Sequence, residues 1–235
     1  MKAKKFNKVT IIIPVYNEAS TIKKIVDRVK RANYLGLKKE IIIIDDHSTD
    51  DTRQILKTPF FKDSKVIFQP KNKGKGSAVR AGIKASTGQI ILIQDADLEY
   101  HPKDYTKSIR LIIEKDLPVV FGSRELTGKN PHSYLSFHIG GKLVTTTTNL
   151  LYGSKLSDVP TGHKIFQADI LKSVPLKCKR FEFCPEVTGL LLKKNIPIHE
   201  VPISYSARTI QEGKKIKAKD GLEAIWTLFR VRFLV

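Results

Sequence analysis

Short runs of β-branched and other apolar residues alternate with helical patterns through the first half of the chain. Between the runs, apolar residues return every three or four positions, as at Ile22, Ile25, Val26 and Val29, which is the spacing of a helix with one buried face. Strands that are separated by single helices predict an α/β fold with a doubly wound, mostly parallel sheet and helices on both faces. The predicted strands are Val9–Val15, Glu40–Ile44, Val66–Gln69, Gln89–Gln94 and Pro118–Gly122.

The alternation weakens after the fifth predicted strand. Helices are predicted at His138–Leu151 and Pro185–Lys194, and a further strand at Ile198–Tyr205. The segment from residue 207 to the end combines a basic stretch with a predicted amphipathic helix, Gly221–Val235, that contains Trp226. This combination is typical of a helix lying on an anionic lipid surface, although a helix that packs on its own domain gives the same pattern. The cations of the basic stretch are Arg208, Lys214, Lys215, Lys217 and Lys219.

Polar clusters follow three of the predicted parallel strands. They are Tyr16–Glu18 after the first strand, Asp45–Asp46 after the second and Asp95–Asp97 after the fourth. Ligands of such sheets bind beyond the carboxyl ends of the strands, near the point where the strand order reverses. The sequence therefore predicts a ligand cleft at this edge of the sheet.

Three acidic residues at alternate positions follow the fourth strand. If the backbone stays extended there, Asp95, Asp97 and Glu99 point to the same side of the chain. Carboxylates held together raise one another's pKa and need a counter-charge, and Mg²⁺ or Mn²⁺ takes oxygen ligands while leaving positions for phosphate oxygens. We predict a divalent metal site here, with a cap of the helix that begins near Pro102 as the alternative.

Two further polar segments each allow two interpretations. The loop at residues 72–77 precedes a predicted helix, so it is either a phosphate-binding loop or a glycine turn with solvated lysines. The pair Asp45 and Asp46 either caps the next helix or accepts hydrogen bonds from a nucleobase or ribose. Because two acids at the end of a buried strand are costly to desolvate, we favour ligand contact.

Composition and charge narrow the class of partner. The 235 residues carry a formal net charge of +19, with +9 on residues 1–39, +7 on residues 170–235 and a neutral stretch at 40–100. This surplus suits nucleic acid, an anionic membrane or a phosphorylated substrate. The basic residues lack interleaved aromatic residues or a recognised reading motif, which argues against nucleic acid. Two cysteines, Cys178 and Cys184, indicate neither a disulfide framework nor a zinc site and favour a reduced, cytosolic setting.

The motifs, in this order and spacing, resemble those of family 2 glycosyltransferases, which have the GT-A fold. Over residues 1–125 the resemblance rests on Ile13–Glu18, Ile44–Asp50, Asn72–Gly76 and Gln94–Asp97. The second half resembles dolichol- or polyprenyl-phosphate sugar synthases through Gly122–Arg124, Asp158–Gly162 and Glu200–Tyr205 leading to Arg208.

The resemblance implies a role for each matching residue. Asp97 and Glu99 would hold the Mg²⁺ or Mn²⁺ ion. Arg124 would bind the acceptor phosphate, and Arg208 the phosphates of donor or acceptor; Asp97, Arg124, Asp158 and Arg208 form the catalytic set. The nucleotide-sugar donor, GDP-mannose or a UDP-hexose, would be bound by Pro14, Tyr16, Glu18, Asp46, Lys75, Asp95 and Ala96.

The acceptor implied by the resemblance is a dolichyl or undecaprenyl phosphate. Such a phosphate is already ionised at neutral pH, so it can attack the anomeric carbon in line, with inversion and without a general base. This agrees with the lack of an obvious base, since His138 and His163 are isolated in the sequence. If the acceptor is instead a hydroxyl group of a saccharide, a protein or a small molecule, a base is required, and Asp158 is the best candidate.

These expectations define the organisation of the chain. Residues 1–206 would form the GT-A catalytic domain, with the donor bound by residues 1–125 and the acceptor by residues 126–206. Residues 207–235 would form a basic juxtamembrane segment and an interfacial helix. The expected partners are the two substrates and an anionic membrane surface, not nucleic acid. The expected location is cytoplasmic, peripheral on the inner face of the membrane.

Overall fold

The apolar runs of the first half form the parallel part of one sheet. The protein is described here by a computed structural model over residues 6–126, 128, 134–209, 215–216 and 218–235, so Lys214 and Lys217 of the predicted basic stretch lie outside the described residues. The strands are β1 (Lys8–Val15), β2 (Lys38–Asp45), β3 (Lys65–Phe68), β4 (Ile90–Ile93), β5 (Val119–Ser123), β6 (Lys164–Gln167) and β7 (His199–Pro202). The α-helices are α1 (Ile22–Arg31), α2 (Thr52–Leu56), α3 (Lys75–Ala85), α4 (Tyr105–Lys115), α5 (Leu135–Tyr152), α6 (Ala168–Lys172), α7 (Phe183–Lys193) and α8 (Ala218–Leu234).

The seven strands of the described residues lie in the order β3-β2-β1-β4-β6-β5-β7. Strands β3, β2, β1 and β4 are parallel, as are β5 and β7, whereas β6 runs antiparallel to both β4 and β5. The predicted mostly parallel, doubly wound sheet is confirmed. The chain builds outward from β1 to β2 and β3 and then crosses to β4, so the strand order reverses between β1 and β4. A ligand cleft is expected beyond the carboxyl ends of these two strands.

Strand β6 was not predicted, because its first residue, Lys164, and the preceding His163 indicate an exposed segment. Both side chains are buried instead. The Lys164 ammonium lies 3.3 Å from the centroid of the Phe121 ring and donates to the Val159 carbonyl at 3.1 Å. Burial lowers the pKa of Lys164 to about 8. The cation is therefore accommodated by an aromatic face and one carbonyl, which sequence periodicity does not show.

Alternate residues of β1 supply the two faces of the sheet. Ile11 and Ile13 belong to the core under α1 and α4, while Ile12 belongs to the core under α3 and α7. A third apolar cluster joins α5 to α8 through Val144 and Leu228. The sheet is thus covered on both sides, and α5 and α8 pack on each other beside it, with Val231 of α8 joining the core under α7.

Helix α8 has one packed stripe and one exposed apolar stripe. Ala224 and Leu228 are buried, whereas Leu222, Trp226 and Phe233 are 72%, 61% and 66% exposed. Helix α5 has a similar exposed stripe, formed by Ile139, Leu143 and Leu150. These residues are four and seven positions apart and therefore share one face of the helix. The interpretation that the C-terminal helix packs on its own domain therefore holds for one face, and lipid contact by the exposed face stays a prediction. Within the described ranges, no helix is long and apolar enough to cross a membrane.

Candidate active site

A cleft of about 1220 Å³ opens beyond the carboxyl ends of β1 and β4. It brings together every predicted site residue except Asp158, which lies behind Arg124 in the wall of a small side cavity of about 50 Å³. The predicted residues that line the cleft are Pro14, Tyr16, Glu18, Asp46, Lys75, Asp95, Ala96, Asp97, Glu99, Arg124 and Arg208.

The turn after β1 is held by hydroxyl groups of the segment that follows β2. The Asn17 amide donates to Ser48 Oγ at 2.9 Å, and the Glu18 amide donates to Thr52 Oγ1 at 2.9 Å. Asn17 adopts a left-handed backbone with φ of 50°, which lets the chain reverse at this point. Two motifs that are distant in the sequence therefore fix one edge of the cleft, and Tyr16 lies on this edge.

The acidic segment after β4 does not continue as extended chain. The backbone turns at Ala96 and Asp97, and Leu98 has a left-handed φ of 66°. The alternation argument for Asp95, Asp97 and Glu99 was therefore wrong in its premise, although all three still line the cleft. The segment that leads into β6 lies against this turn, since a Cβ at Gly162 would lie 2.4 Å from Asp95 Oδ2.

The carboxylates of this segment have different partners. Asp95 Oδ1 lies 2.6 Å from the Lys75 ammonium, and the charge of Asp95 raises the pKa of Lys75 although burial alone would lower it. Asp97 is 3.9 Å from Arg208. Burial, followed by the charges of Asp95 and Glu99, raises the pKa of Asp97 to about 7. Asp97 is therefore the carboxylate of the group that gains most from an added positive charge.

The carboxylate oxygens of this segment suit a hard divalent cation that also binds oxygen atoms of a substrate. Carboxylate oxygens are the preferred protein ligands of Mg²⁺ and Mn²⁺. Over the described ranges, no three His, Cys, Asp or Glu side chains form a group that could hold an ion by themselves. An ion at Asp97 would therefore need further oxygen ligands from a bound substrate or solvent.

Glu99 contacts the chain that follows β7. Its Oε1 accepts from the Arg208 amide at 2.8 Å, and its carbonyl accepts from the Ser206 amide at 2.9 Å. Residues Tyr100 and Tyr205 pair as an antiparallel bridge beside it. Glu99 thus fixes the backbone that carries Arg208 over the acidic segment, and its predicted role as a metal ligand stays a prediction.

Glu18 is buried and binds two cations of the C-terminal segment. Arg208 donates to its carboxylate at 3.1 and 3.2 Å, and the Lys215 ammonium lies 2.7 Å from Oε1. Burial alone would raise the pKa of Glu18, but hydrogen bonds from Lys215, Thr21 and Arg208 outweigh it and lower the pKa. The sequence interpretation missed Lys215 at this site, because Arg208 was the one cation of the basic stretch that it assigned to the cleft.

In the loop at residues 72–77, the glycine loop, and in the first turn of α3, backbone amides form hydrogen bonds within the protein. The Asp46 carboxylate accepts from the Lys73 and Gly74 amides at 2.8 and 2.6 Å. The Gly76 and Ser77 amides donate to the carbonyls of residues 180 and 179 at 2.9 and 3.0 Å. Of the two interpretations of this loop, the structure therefore favours a turn held by the protein. The Lys75 side chain, rather than the helix N-terminus, faces the cleft for phosphate contact.

Arg124 is held by Asp158 from behind. The guanidinium Nε and Nη2 lie 2.7 Å from Oδ2 and Oδ1, and the Arg124 amide donates to Oδ2 at 2.9 Å. The Asp158 amide and Ser157 in turn donate to the Glu200 carboxylate. Such a planar two-point pair fixes the guanidinium in one orientation. Arg124 is thereby presented to the cleft, where it can bind an anion.

Neither His138 nor His163 lies where it could act as a general base in the main cleft. His163 is buried against Ser108 Oγ at 3.2 Å, and burial lowers its pKa to about 4. His138 lies 3.6 Å from the Glu125 carboxylate, so it is not isolated in the fold as it is in the sequence. It lines the side cavity and not the main cleft.

The sequence and fold comparisons identify the family. Residues 10–174 match the family described as glycosyl transferase family 2. The chain belongs to this family. It is 32% identical over 231 residues to a UDP-N-acetylglucosamine--dolichyl-phosphate N-acetylglucosaminyltransferase of Methanococcus voltae, with 88% of this chain and 89% of the relative covered.

Two further proteins, one compared by sequence and one by structure, are similar to this glycosyltransferase. It is 29% identical over 230 residues to a dolichol-phosphate mannosyltransferase of Pyrococcus furiosus, covering 95% of this chain but only 63% of that relative. Glucosyl-3-phosphoglycerate synthase from Mycobacterium tuberculosis, solved with Mn²⁺ and uridine diphosphate, superposes with a TM-score of 0.75 at 18% identity over 97% of this chain and 80% of that one. The predicted GT-A-like fold and the predicted enzyme class are confirmed.

The cleft of the glycosyltransferase extends from the charged residues to a mainly apolar end between two helices. Its wall there includes Phe137 and Val144 of α5 and Ala224 of α8, together with the carboxylate of Asp220. Three glycines, Gly140, Gly141 and Gly221, line the same stretch and leave space for a ligand. The sequence interpretation did not include this end of the cleft, because the pairing of α5 with α8 depends on tertiary contacts.

Proposed function

We propose that this glycosyltransferase moves a hexose from a nucleotide-diphosphate sugar to a polyprenyl phosphate, with inversion. The observation that carries the proposal is the single cleft that joins the charged donor end to an apolar end between α5 and α8, with Arg124 in its wall. A substrate with a phosphate head and a hydrocarbon tail matches that combination of surfaces. Two relatives, a dolichyl-phosphate N-acetylglucosaminyltransferase and a dolichol-phosphate mannosyltransferase, support the same acceptor class.

The proposed donor site is the end of the cleft between β1 and β4. Pro14, Tyr16 and Ala96 would contact the nucleoside, with Glu18, Asp46 and Asp95 shaping the same pocket. Lys75, held by Asp95, would face the diphosphate of GDP-mannose or a UDP-hexose. An ammonium fixed by an ion pair stabilises the negative charge that grows on a departing diphosphate.

The proposed metal ligands are Asp97 and Glu99. A Mg²⁺ or Mn²⁺ ion at these carboxylates would neutralise charge on the diphosphate leaving group. Arg208 lies 3.9 Å from Asp97 and supplies a second positive charge at the same place. The high pKa of Asp97, about 7, supports the need for such charge at this position.

The proposed transfer step needs no general base. A phosphate oxygen of the acceptor, held by Arg124, forms a bond to the anomeric carbon while the bond from that carbon to the diphosphate oxygen breaks. The nucleoside diphosphate leaves with the electron pair, and no proton moves. Attack opposite the leaving group inverts the anomeric configuration.

The alternative with a hydroxyl acceptor requires Asp158 to act as a base. Both carboxylate oxygens of Asp158 already accept hydrogen bonds from Arg124, and the residue is 3% exposed. These contacts support a positioning role for Asp158 and favour an acceptor that is ionised before it binds.

The proposed division of the chain follows the sequence interpretation. Residues 1–125 would bind the donor, residues 126–206 the acceptor and residues 207–235 the membrane, while Arg208 and Lys215 of the last segment reach back to Glu18 in the cleft. The exposed stripes of α5 and α8, which include Trp226, would lie in the anionic, cytoplasmic leaflet. The two free cysteines support a reducing compartment.

The proposal is tested first by ligand-induced stabilisation. Thermal shift with GDP, UDP, GDP-mannose and UDP-hexoses, each with and without Mn²⁺, identifies the nucleotide, because a ligand bound only by the folded state raises its stability. Transfer from the radiolabelled donor is then compared between a polyprenyl phosphate and a panel of saccharide, protein and small-molecule hydroxyl acceptors. Transfer to a hydroxyl acceptor with none to the lipid phosphate would overturn the proposed acceptor.

A further inference from the structure

A second charged surface, rich in cations, borders the cleft. It is formed by α3 with the loop before it and by the segment that precedes α7. Neither contributing sequence, residues 64–94 or residues 170–181, contains an acidic residue. We define the basic lip as the exposed side chains of Lys73, Arg80, Lys84, Lys177, Lys179 and Arg180.

The two halves of the basic lip are joined by hydrogen bonds. Arg80 Nη1 lies 3.4 Å from the carbonyls of Lys177 and Cys178. The carbonyls of Lys179 and Arg180 accept from the first amides of α3. The lip is therefore one surface of fixed shape, although its cations come from positions about one hundred residues apart in the chain.

The charge of the basic lip is not neutralised within the described residues. None of its six cations forms an ion pair with a carboxylate there. The nearest acid in sequence, Glu182, uses its carboxylate to accept from the Lys179 and Arg180 amides at 2.6 and 2.9 Å. A concentration of six like charges is unfavourable for the fold by itself and is suited to an external polyanion.

The position of the basic lip indicates which polyanion it fits. Lys73, Arg80, Lys84, Lys179 and Arg180 line the same cleft as the apolar residues Phe137 and Ala224 of α5 and α8. One wall of the cleft thus carries cations, and the other is formed by α5 and α8, whose outward faces carry the exposed apolar stripes. An anionic bilayer presents phosphates at its surface and hydrocarbon beneath, and it complements both sides together.

We propose that the basic lip is a second membrane contact, which binds the phosphate headgroups of an anionic leaflet while α5 and α8 insert their apolar stripes. This inference rests on the proposed function, since it assumes a lipid acceptor. The two contacts would seat the mouth of the cleft on the bilayer, so that a lipid phosphate enters without leaving the membrane.

The test measures binding of the full chain to vesicles by flotation. The variant Lys84→Glu/Lys177→Glu/Lys179→Glu is compared with a control of equal charge change, Lys57→Glu/Lys62→Glu/Lys107→Glu, whose residues are exposed but do not line the cleft. A lysine near an anionic surface contributes roughly fivefold in affinity. We expect the lip variant to bind vesicles of phosphatidylcholine with phosphatidylglycerol at least about tenfold more weakly, and the control to bind within about twofold of the parent chain.

Further measurements distinguish headgroup binding by the basic lip from misfolding, nucleic-acid binding and an effect on nucleotide affinity. Binding to phosphatidylcholine alone should be nearly unchanged, and thermal shift by the nucleotide should match the parent chain, which shows that the lip variant is folded. A lip variant that binds the anionic vesicles as well as the control would overturn the proposal. So would unchanged vesicle binding with a selective loss of tRNA binding, or a loss confined to nucleotide affinity. Because vesicle binding needs no substrate, it is independent of whether the lipid phosphate proves to be the acceptor.

Discussion

Arg124 and Asp158 form a planar ion pair in which both guanidinium contacts, Nε to Oδ2 and Nη2 to Oδ1, are 2.7 Å long. Only Arg124 reaches the cleft, and Asp158 lies behind it. The pair therefore has a direction: the carboxylate orients the guanidinium, and the guanidinium faces the substrate.

This arrangement predicts the effect of changing either partner. Asp158→Asn should raise the KM for the phosphate acceptor by about 10- to 100-fold, since Arg124 loses its orientation, and Arg124→Lys should do the same because lysine cannot form the two-point contact. Steady-state kinetics with a fixed donor concentration measure the change. The double variant should be little worse than either single one if the residues act as a unit. A loss confined to kcat in Asp158→Asn, with the acid limb of the pH profile removed, would instead indicate a base.

Asp97 provides the test of the metal. Asp97→Asn should reduce transfer by about 100-fold or more and should abolish the extra thermal stabilisation that Mn²⁺ gives with a nucleoside diphosphate. Chelation by EDTA should have the same effect on the parent chain. Glu99→Gln is the informative comparison, because its Oε1 accepts from the Arg208 amide. If Glu99 only positions Arg208, this variant keeps its dependence on Mn²⁺; full activity in Asp97→Asn would contradict the assignment.

Glu18 connects the donor pocket to the chain leading to α8. Glu18→Gln should raise the KM for the nucleotide sugar by about tenfold, since it weakens the hold on Arg208 and Lys215 together. Lys215→Met should have a smaller effect, below about fivefold, because its side chain is 36% exposed and screened by water. Donor titration at saturating acceptor separates the two variants. An equal loss in both would show that Lys215, not Arg208, depends on the contact.

Glu40 makes the stability of the fold depend on pH in a predictable way. Burial alone would raise its pKa, but hydrogen bonds from Thr10, Thr87 and Lys8 outweigh it and lower the pKa from 4.5 to about 2. Because the pKa is lower in the folded state, the stabilisation is complete above about pH 4.5 and is lost as the pH falls toward 2. Glu40→Gln should lower the Tm by roughly 2–6 °C at pH 7.

The difference in Tm between the parent chain and Glu40→Gln should shrink steadily below pH 4.5. Thermal unfolding followed by circular dichroism across that range measures it. Glu114→Gln serves as the control, since its pair with Arg110 is exposed on both sides and 3.7 Å long. A difference that stays constant down to the lowest accessible pH would show that the carboxylate charge of Glu40 is not what stabilises the fold.

Much of the first half was predictable from local pattern. Strand β1 and the stripe of Ile22, Ile25 and Val29 on α1 follow from apolar periodicity, since burial of one face dictates the spacing. The polar clusters Tyr16–Glu18 and Asp95–Asp97 were placed in one cleft because parallel strands bring their carboxyl ends to one edge.

The remaining contacts depend on residues that are distant in the sequence. Strand β6 carries the buried Lys164, whose environment is set by Phe121 and Val159, so no local pattern marks it as a strand. The Asp46 carboxylate holds the glycine loop, a role outside the two sequence alternatives of helix cap and ligand contact, and only the fold shows it.

The alternation of strands and helices in the first half, the family and the acidic segment could be inferred from spacing along the chain, and the surplus of +19 from composition. The orientation of Arg124 by Asp158, the binding of Arg208 and Lys215 by Glu18 and the gathering of basic charge into a lip could not. Hydrogen bonds and ion pairs act over about 3 Å, and the packing of the sheet and helices sets which side chains come that close.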